Sequence, residues 1–232
     1  MTSADPFSSQ LLCVLRVHSA DSPYRKYCLF TYSSDLDQVL AQYPSSETPE
    51  HLFSGLRRQD ERLLLRFTDG YCYLDRQLEA TDSLQPLPET VRAAITTEPE
   101  WAGCYDFSQD EQTFYYLQNK QELWCYEAST QTSRQLFQRA NLDFNGSYGL
   151  FQLQLTDNEQ LLVMTLYTAR HRTGGHPEDM TCALVRIDLQ SPAAETLLTT
   201  KAADITPLAI TDEGQVLFNY QFEQVYGTGI SR

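Results

Sequence analysis

Positive charge is what this chain has least of. Its 232 residues include 17 Lys and Arg against 31 Asp and Glu, which gives a formal net charge of −14. Phosphate contacts need clustered Lys and Arg, so direct binding of DNA or RNA is not expected. The same argument excludes an anionic membrane surface. An acidic surface keeps a protein soluble, or it attracts a basic partner over long range.

Targeting signals and paired cysteines are also missing. Residues 1–10 have neither the basic region nor the apolar region of a signal peptide, and no run approaches about eighteen apolar residues. None of the six cysteines forms a C-x-x-C pair, which excludes a zinc ribbon or a thioredoxin-type motif. We therefore expect a cytoplasmic protein with reduced thiols.

Catalytic motifs are missing too. There is no G-x-S-x-G elbow, and Gly174-Gly175 is not followed by the lysine of a phosphate loop. His171, His176 and Glu178 lie in one Gly-rich loop and have the chemistry to ligate a metal. Such a loop lacks the fixed geometry of a metal site, so the sequence predicts no metal, no cofactor and no catalytic residue.

What the chain does have is a repeat. Four acidic turns open onto apolar segments at intervals of about fifty residues, which is typical of repeat architectures. Their aspartates are Asp60, Asp110, Asp157 and Asp212.

Each turn lies inside a group of short segments rich in β-branched and aromatic residues, which predicts a four-stranded antiparallel meander. The groups span residues 52–81, 101–137 and 148–199. In the clearest group, strands are predicted over residues 101–107, 112–118, 122–127 and 133–137.

The last group is incomplete. Residues 206–223 supply two strands, and we expect residues 11–33 to complete that sheet with two more, which would close a ring and remove exposed sheet edges.

The segment Glu122–Glu127 followed by Arg134–Leu136 resembles the blade end of TolB-like or WD-type β-propellers, as does Val185–Leu189 followed by Glu195–Leu198. The chain has no WD dipeptide and no kelch glycine pair, so no named propeller family follows. The resemblance implies an all-β fold: a single small β-propeller domain over residues 1–232, with four blades of four antiparallel strands, or five if an irregular blade lies in the linkers.

Four cysteines fit this scheme. We place Cys13, Cys72, Cys125 and Cys182 on the third strand of their blades, as small buried residues rather than reactive thiols.

The long connections are predicted to lie on one face of the propeller, opposite the acidic turns. They are residues 33–50, with a helical pattern at 36–43, residues 82–100, with a short helix at 89–95, and residues 168–179. Long loops on a rigid scaffold usually carry function. The predicted partner-binding residues are therefore Asp35, Asp37, Glu47, Glu50, Glu89, Glu98, Glu100, Arg170, His171, Arg172, His176 and Glu178.

These features favour a non-catalytic binding propeller that docks a basic protein through carboxylates. In character it is similar to an inhibitor or immunity protein (an antitoxin) that neutralises a bacterial toxin such as a nuclease. Two alternatives remain open at this point. One is a glycan-cleaving or metal-dependent propeller enzyme that uses His171, His176 and Glu178, and the other is a scaffold subunit of a larger assembly.

Overall fold

The fold is mostly β, with antiparallel sheets and one helix among the described residues. The computed structural model describes the backbone of residues 10–17, 26–33, 38–43, 53–59, 62–67, 69–75, 77–95, 105–119, 122–138, 150–155, 161–169, 180–191, 193–200, 204–210, 216–222 and 225–231. Side chains are described at residues 62–67, 69–75, 77–95, 105–119, 122–138, 153–155, 183–191 and 193–199. The chain forms two compact units, Met1–Pro86 and Leu87–Arg232.

The first unit contains two sheets whose strands follow one another in chain order. Sheet A consists of β1 (Gln10–Val17), β2 (Lys26–Ser33) and β3 (Gln38–Tyr43). Sheet B consists of β4 (Phe53–Gln59), β5 (Arg62–Phe67), β6 (Gly70–Leu74) and β7 (Gln85–Pro86).

Alternation along β5 and β6 builds the described core of the first unit. Successive strand residues point to opposite faces, so Leu63, Leu65 and Phe67 share one face, and Cys72 and Leu74 of β6 join it. Leu78, in the loop after β6, completes this buried cluster.

The second unit begins with the helix α1 (Glu89–Ile95), which lies beside β9. Sheet C consists of β8 (Tyr105–Phe107), β9 (Thr113–Gln118), β10 (Glu122–Glu127) and β11 (Thr132–Gln138). Sheet D consists of β12 (Leu150–Leu155), β13 (Leu161–Ala169), β14 (Met180–Asp188) and β15 (Ala194–Thr200), and sheet E of β16 (Asp204–Ile210), β17 (Val216–Phe222) and β18 (Val225–Ser231).

Sheets C and D pack face to face through one hydrophobic cluster. Sheet C contributes Leu117, Leu123 and Phe137, and sheet D contributes Leu153, Leu155, Ala183, Val185 and Ile187. The cluster residues of β14 are Ala183, Val185 and Ile187, which occupy every second position of the strand. This is the period expected of a strand that has one face against a core. We call the side of sheet C that packs here its inter-sheet face.

The sequence predicted these two sheets well. Sheets C and D confirm the four-stranded groups at 101–137 and 148–199 within one or two residues at most strand ends, apart from residues 101–104, which lie outside the described residues. The helix at Glu89–Ile95 is also confirmed.

The helix predicted at 36–43 is wrong, because Gln38–Tyr43 is the strand β3, paired with β2. Its apolar residues fit a period of two as well as a helical period, since Val39, Ala41 and Tyr43 alternate. The group predicted at 52–81 was expected to end in a fourth strand near residues 77–81. The structure has a single bridge there, between Leu74 and Ala80, and β7 takes the fourth place in sheet B.

The composite last sheet is the largest correction. β16 and β17 pair with β18 rather than with the first strands, and β1 and β2 pair with β3, so the described strands form five sheets. A two-residue connection, 223–224, separates β17 from β18, and closing so short a loop costs far less entropy than recruiting a strand from the other end of the chain. Cys13 accordingly lies on the first strand of its sheet, not the third.

Candidate functional site on sheet C

Most of the predicted partner-binding residues lie outside the described side chains, so the structure does not test them. They are Asp35, Asp37, Glu47, Glu50, Glu98, Glu100, Arg170, His171, Arg172, His176 and Glu178. The exception is Glu89, which is exposed in the first turn of α1. Its Oε2 accepts a hydrogen bond from Arg92 Nε at 3.0 Å, and the two side chains form an i,i+3 ion pair. An exposed pair of this kind contributes at most about 0.5 kcal/mol.

The acidic turn between β8 and β9 is held by its own side chains. Ser108 Oγ donates to Asp110 Oδ1 at 2.6 Å, and the backbone N of Gln112 donates to the same oxygen at 3.0 Å. The Ser108 hydroxyl, followed by the Gln112 amide, lowers the pKa of Asp110 below its ordinary value of 3.8. Asp110 is therefore ionised at neutral pH and exposed, and its first role is to shape the turn.

A buried thiol lies next to a carboxylate on the inter-sheet face. Cys125 Sγ donates to Glu127 Oε1 at 3.4 Å, and Thr113 Oγ1 donates to Glu127 Oε2 at 3.0 Å. Burial, and then the hydrogen bond to Glu127, raises the pKa of Cys125 from 9.0 to about 11. The thiolate is the nucleophilic form, so Cys125 is a structural residue. Cys72 is likewise a buried free thiol, as predicted.

Asp106 is a fully buried carboxylate that links sheet C to sheet D. Its Oδ2 accepts the backbone N–H of Leu155 in β12 at 2.7 Å, and its Oδ1 accepts the N–H of Phe107 at 2.9 Å. Burying a charge without hydrogen bonds is costly, and these two backbone donors supply them. The carboxylate is built into the packing of the two sheets and is inaccessible to a partner.

The other side of sheet C carries a run of aromatic rings, and we call it the aromatic face. Tyr105 stacks on Phe107 with ring centroids 6.4 Å apart, Phe107 meets Phe114 at 5.2 Å, and Phe114 meets Tyr126 edge-on at 6.4 Å. All four rings are buried. Aromatic pairs of this kind stabilise a fold by about 0.5–1.5 kcal/mol each beyond the area that they bury.

The aromatic face ends in a half-buried tryptophan. Trp124 Nε1 donates to Glu122 Oε2 at 2.9 Å, and both side chains are partly exposed. Gln135 lies opposite Trp124 on β11, while Gln118 and Gln138 lie on either side of Glu122. Gln138 Nε2 also donates to Gln135 Oε1 at 3.2 Å. We call Gln118, Glu122, Trp124, Gln135 and Gln138 the Trp124 patch.

Sequence reasoning placed Glu122 and Trp124 on a strand but gave them no role. The available signal was their spacing, because residues two apart on a strand share a face. The carboxylate of Glu122 and the indole of Trp124 therefore share the aromatic face of sheet C, where they form a partly exposed polar region next to the buried rings. Among the residues whose side chains are described, no group of three or more His, Cys, Asp or Glu has a metal-binding arrangement.

Comparison with known proteins gives only distant similarities. No protein-family model matches the chain, and no curated protein matches it. Two solved structures of oligogalacturonate lyase are similar: one in complex with manganese, at 14% identity, and one from Vibrio parahaemolyticus, at 15%; each has a TM-score of 0.45 over 92% of this chain. The tricorn protease is similar at 8% identity, with a TM-score of 0.42, over 84% of this chain and 23% of its own.

Oligogalacturonate lyase and the tricorn protease are propeller-type proteins. This chain spans 54% of the length of either oligogalacturonate lyase chain. Similarities this distant carry no activity over to the chain. Separately, no helix in the described part of the chain is long and apolar enough to cross a membrane.

Proposed function

We propose that the chain is a non-catalytic binding protein whose acidic surface docks a basic protein, as an inhibitor or immunity-type protein would do. The observation that carries this proposal is the charge: 31 acidic residues against 17 Lys and Arg. Charge of one sign on a protein surface accelerates association with a partner of opposite charge and disfavours other partners.

Two of the five arginines with described side chains form ion pairs. Arg92 pairs with Glu89, and Arg186 pairs with Glu195. Meanwhile Asp110 is exposed with a lowered pKa, so its charge persists below neutral pH. The proposed partner surface includes the acidic connections 33–50 and 82–100 and the loop 168–179, with the twelve residues predicted from the sequence.

The proposed scaffold is a small β-propeller in which each of the five described sheets is a blade. Its support is the order of strands in sheets B, C and D, where four consecutive strands form an antiparallel meander. The proposed location is the cytoplasm.

A capture experiment from the native cell tests the function. The full chain is immobilised and bound proteins are eluted along a salt gradient, beside a variant with Asp35→Lys, Asp37→Lys, Glu98→Lys and Glu100→Lys. A basic protein retained by the wild-type chain, released by moderate salt and lost with the charge-reversal variant is the expected result, because screening weakens exposed charge pairs. Salt-insensitive retention of a neutral protein by both chains would contradict the proposal.

A further inference from the structure

The Trp124 patch combines the two groups that recognise an arginine side chain. A guanidinium is planar, stacks on aromatic faces and donates to carboxylates in a fixed fork. Trp is the best aromatic partner for a cation. In the patch, an indole and a carboxylate are fixed to each other by the 2.9 Å bond from Trp124 Nε1 to Glu122 Oε2.

Strand pairing on both sides of β10 positions Trp124 before a ligand binds. Trp124 lies on β10, in register between Tyr116 of β9 and Gln135 of β11, and Tyr116 is buried. Tyr116 in turn donates from its hydroxyl to Ser133 Oγ at 3.2 Å. A preordered site loses less side-chain entropy when it binds, so it binds more tightly for the same contacts.

The charge of the patch is negative and uncompensated within the described residues. Glu122 is the charged member, and its neighbours in the cross-strand rows are Gln118 and Gln138. The nearest arginine on the neighbouring strand, Arg134, pairs in register with Cys125 and so lies on the opposite face. The amide oxygens of the glutamines add hydrogen-bond acceptors, which a guanidinium needs because it has donors only.

The same chemistry is already present inside this chain. In sheet B, the guanidinium carbon of Arg62 lies 4.2 Å from the centroid of the Tyr73 ring, and Arg62 is exposed. A guanidinium therefore stacks on an aromatic ring of this protein even at a solvated edge.

We propose that the Trp124 patch is a receptor for an arginine side chain of the basic partner. This inference rests on the proposed function and names one contact within it. The guanidinium stacks on the indole of Trp124 and donates to the Glu122 oxygen that does not hold Nε1.

A tetra-arginine peptide, acetylated, amidated and labelled with fluorescein, is the probe. Its binding to the full chain is measured by fluorescence anisotropy at low ionic strength. Glu122→Gln keeps an acceptor for the indole but removes the charge, and should weaken binding about fivefold. Trp124→Leu should have a similar effect. The matched control Glu79→Gln removes an equal charge from an exposed residue that is not part of the patch, and should change binding by less than about 1.5-fold, since it removes no group of the proposed contact.

A second readout locates the contact. The chain has two tryptophans, so a Trp101→Phe background leaves Trp124 as the only indole. Tetra-arginine should then change the fluorescence of Trp124, whereas a tetra-citrulline peptide, which has the same shape without the charge, should not. Tetra-lysine should bind at least about threefold more weakly than tetra-arginine, because it cannot stack as a plane.

The outcomes separate the two proposals. If tetra-arginine binds the wild-type chain and salt weakens it, but Glu122→Gln and Glu79→Gln have equal effects, the arginine receptor is overturned and the acidic binding function stands. Equal binding of tetra-lysine would also overturn the stacking contact. If tetra-arginine does not bind the wild-type chain even at low salt, both proposals fail.

Discussion

Replacing Asp106 with asparagine tests whether this carboxylate joins sheets C and D. Asparagine has one acceptor oxygen, so it can serve either the N–H of Leu155 or that of Phe107, which bond to the two carboxylate oxygens at 2.7 and 2.9 Å. The other N–H then faces an amide donor in a site with no exposure to solvent. An unsatisfied buried donor costs about 1–3 kcal/mol.

Part of this cost is offset, because burying a neutral amide loses less hydration energy than burying a carboxylate. We therefore expect Asp106→Asn to lower the free energy of unfolding by about 2 kcal/mol. Asp106→Ala leaves both donors without these bonds and should cost about 3 kcal/mol. The measurement is the midpoint of urea unfolding, with an unchanged slope showing that the compactness of the folded and unfolded states is the same.

Hydrogen exchange gives the local readout. The Leu155 amide should exchange faster in Asp106→Asn, by about thirtyfold if the whole 2 kcal/mol appears there. Asp188→Asn is the control, because Asp188 Oδ1 accepts the Gln190 backbone N at 2.9 Å in an exposed turn. Asparagine keeps one oxygen to accept this bond, so the change should cost no more than about 0.5 kcal/mol. An Asp106→Asn protein that unfolds at the same urea concentration as wild type would refute the inter-sheet bond.

Three further predictions concern backbone packing and ionisation. Gly70→Ala should destabilise the first unit by about 1–3 kcal/mol in urea unfolding, because the new Cβ would collide with the backbone carbonyl of Gln85. The free energy of unfolding should fall as pH rises from 9 towards 11, because the unfolded thiol of Cys125 ionises first while the folded one keeps its proton, and Cys125→Ala should make that slope shallower. Ser108→Ala should raise the pKa of Asp110 in an NMR titration, since the hydroxyl is the largest cause lowering it.

Sheet C was predictable because its strands alternate and its turns break them sharply. Glu122–Glu127 has the same bounds in the sequence analysis and in the structure. The turns on either side contain Asn119 and Gln131, with φ of 52° and 55°, a conformation that ends a strand. Local pattern and tertiary pairing therefore agree in this sheet.

Sheets A and E show where local reasoning failed. β3 carries apolar residues whose spacing suits a helix or a strand, and only its pairing with β2 decides between them. β18 contains Gly227 and Gly229, which weaken the strand signal, yet it pairs with β17 along its whole length. Both segments become strands because they pair with a neighbouring strand. A prediction made from one segment at a time does not take this pairing into account.

Asp106 was missed because acidic residues are common in this chain and most of them shape turns. It differs in position: it lies between Tyr105 and Phe107, whose rings take the aromatic face, so its own side chain must point to the inter-sheet face. A charged residue between two aromatic residues of a strand is therefore a signal for a buried polar link, and sequence alone can supply it.

Two of the carboxylates on the strands of sheet C, Asp106 and Glu122, show how one residue class acquires two roles. Asp106 is fully buried, and both of its oxygens accept backbone N–H groups, one of them from sheet D, so the side chain holds the two sheets together. Glu122 lies on the opposite face, partly exposed, and one of its oxygens accepts a hydrogen bond from the indole of Trp124. The same change from acid to amide should therefore affect a different property at each position. Asp106→Asn should lower stability, and Glu122→Gln should lower binding of an arginine peptide while leaving the urea midpoint unchanged.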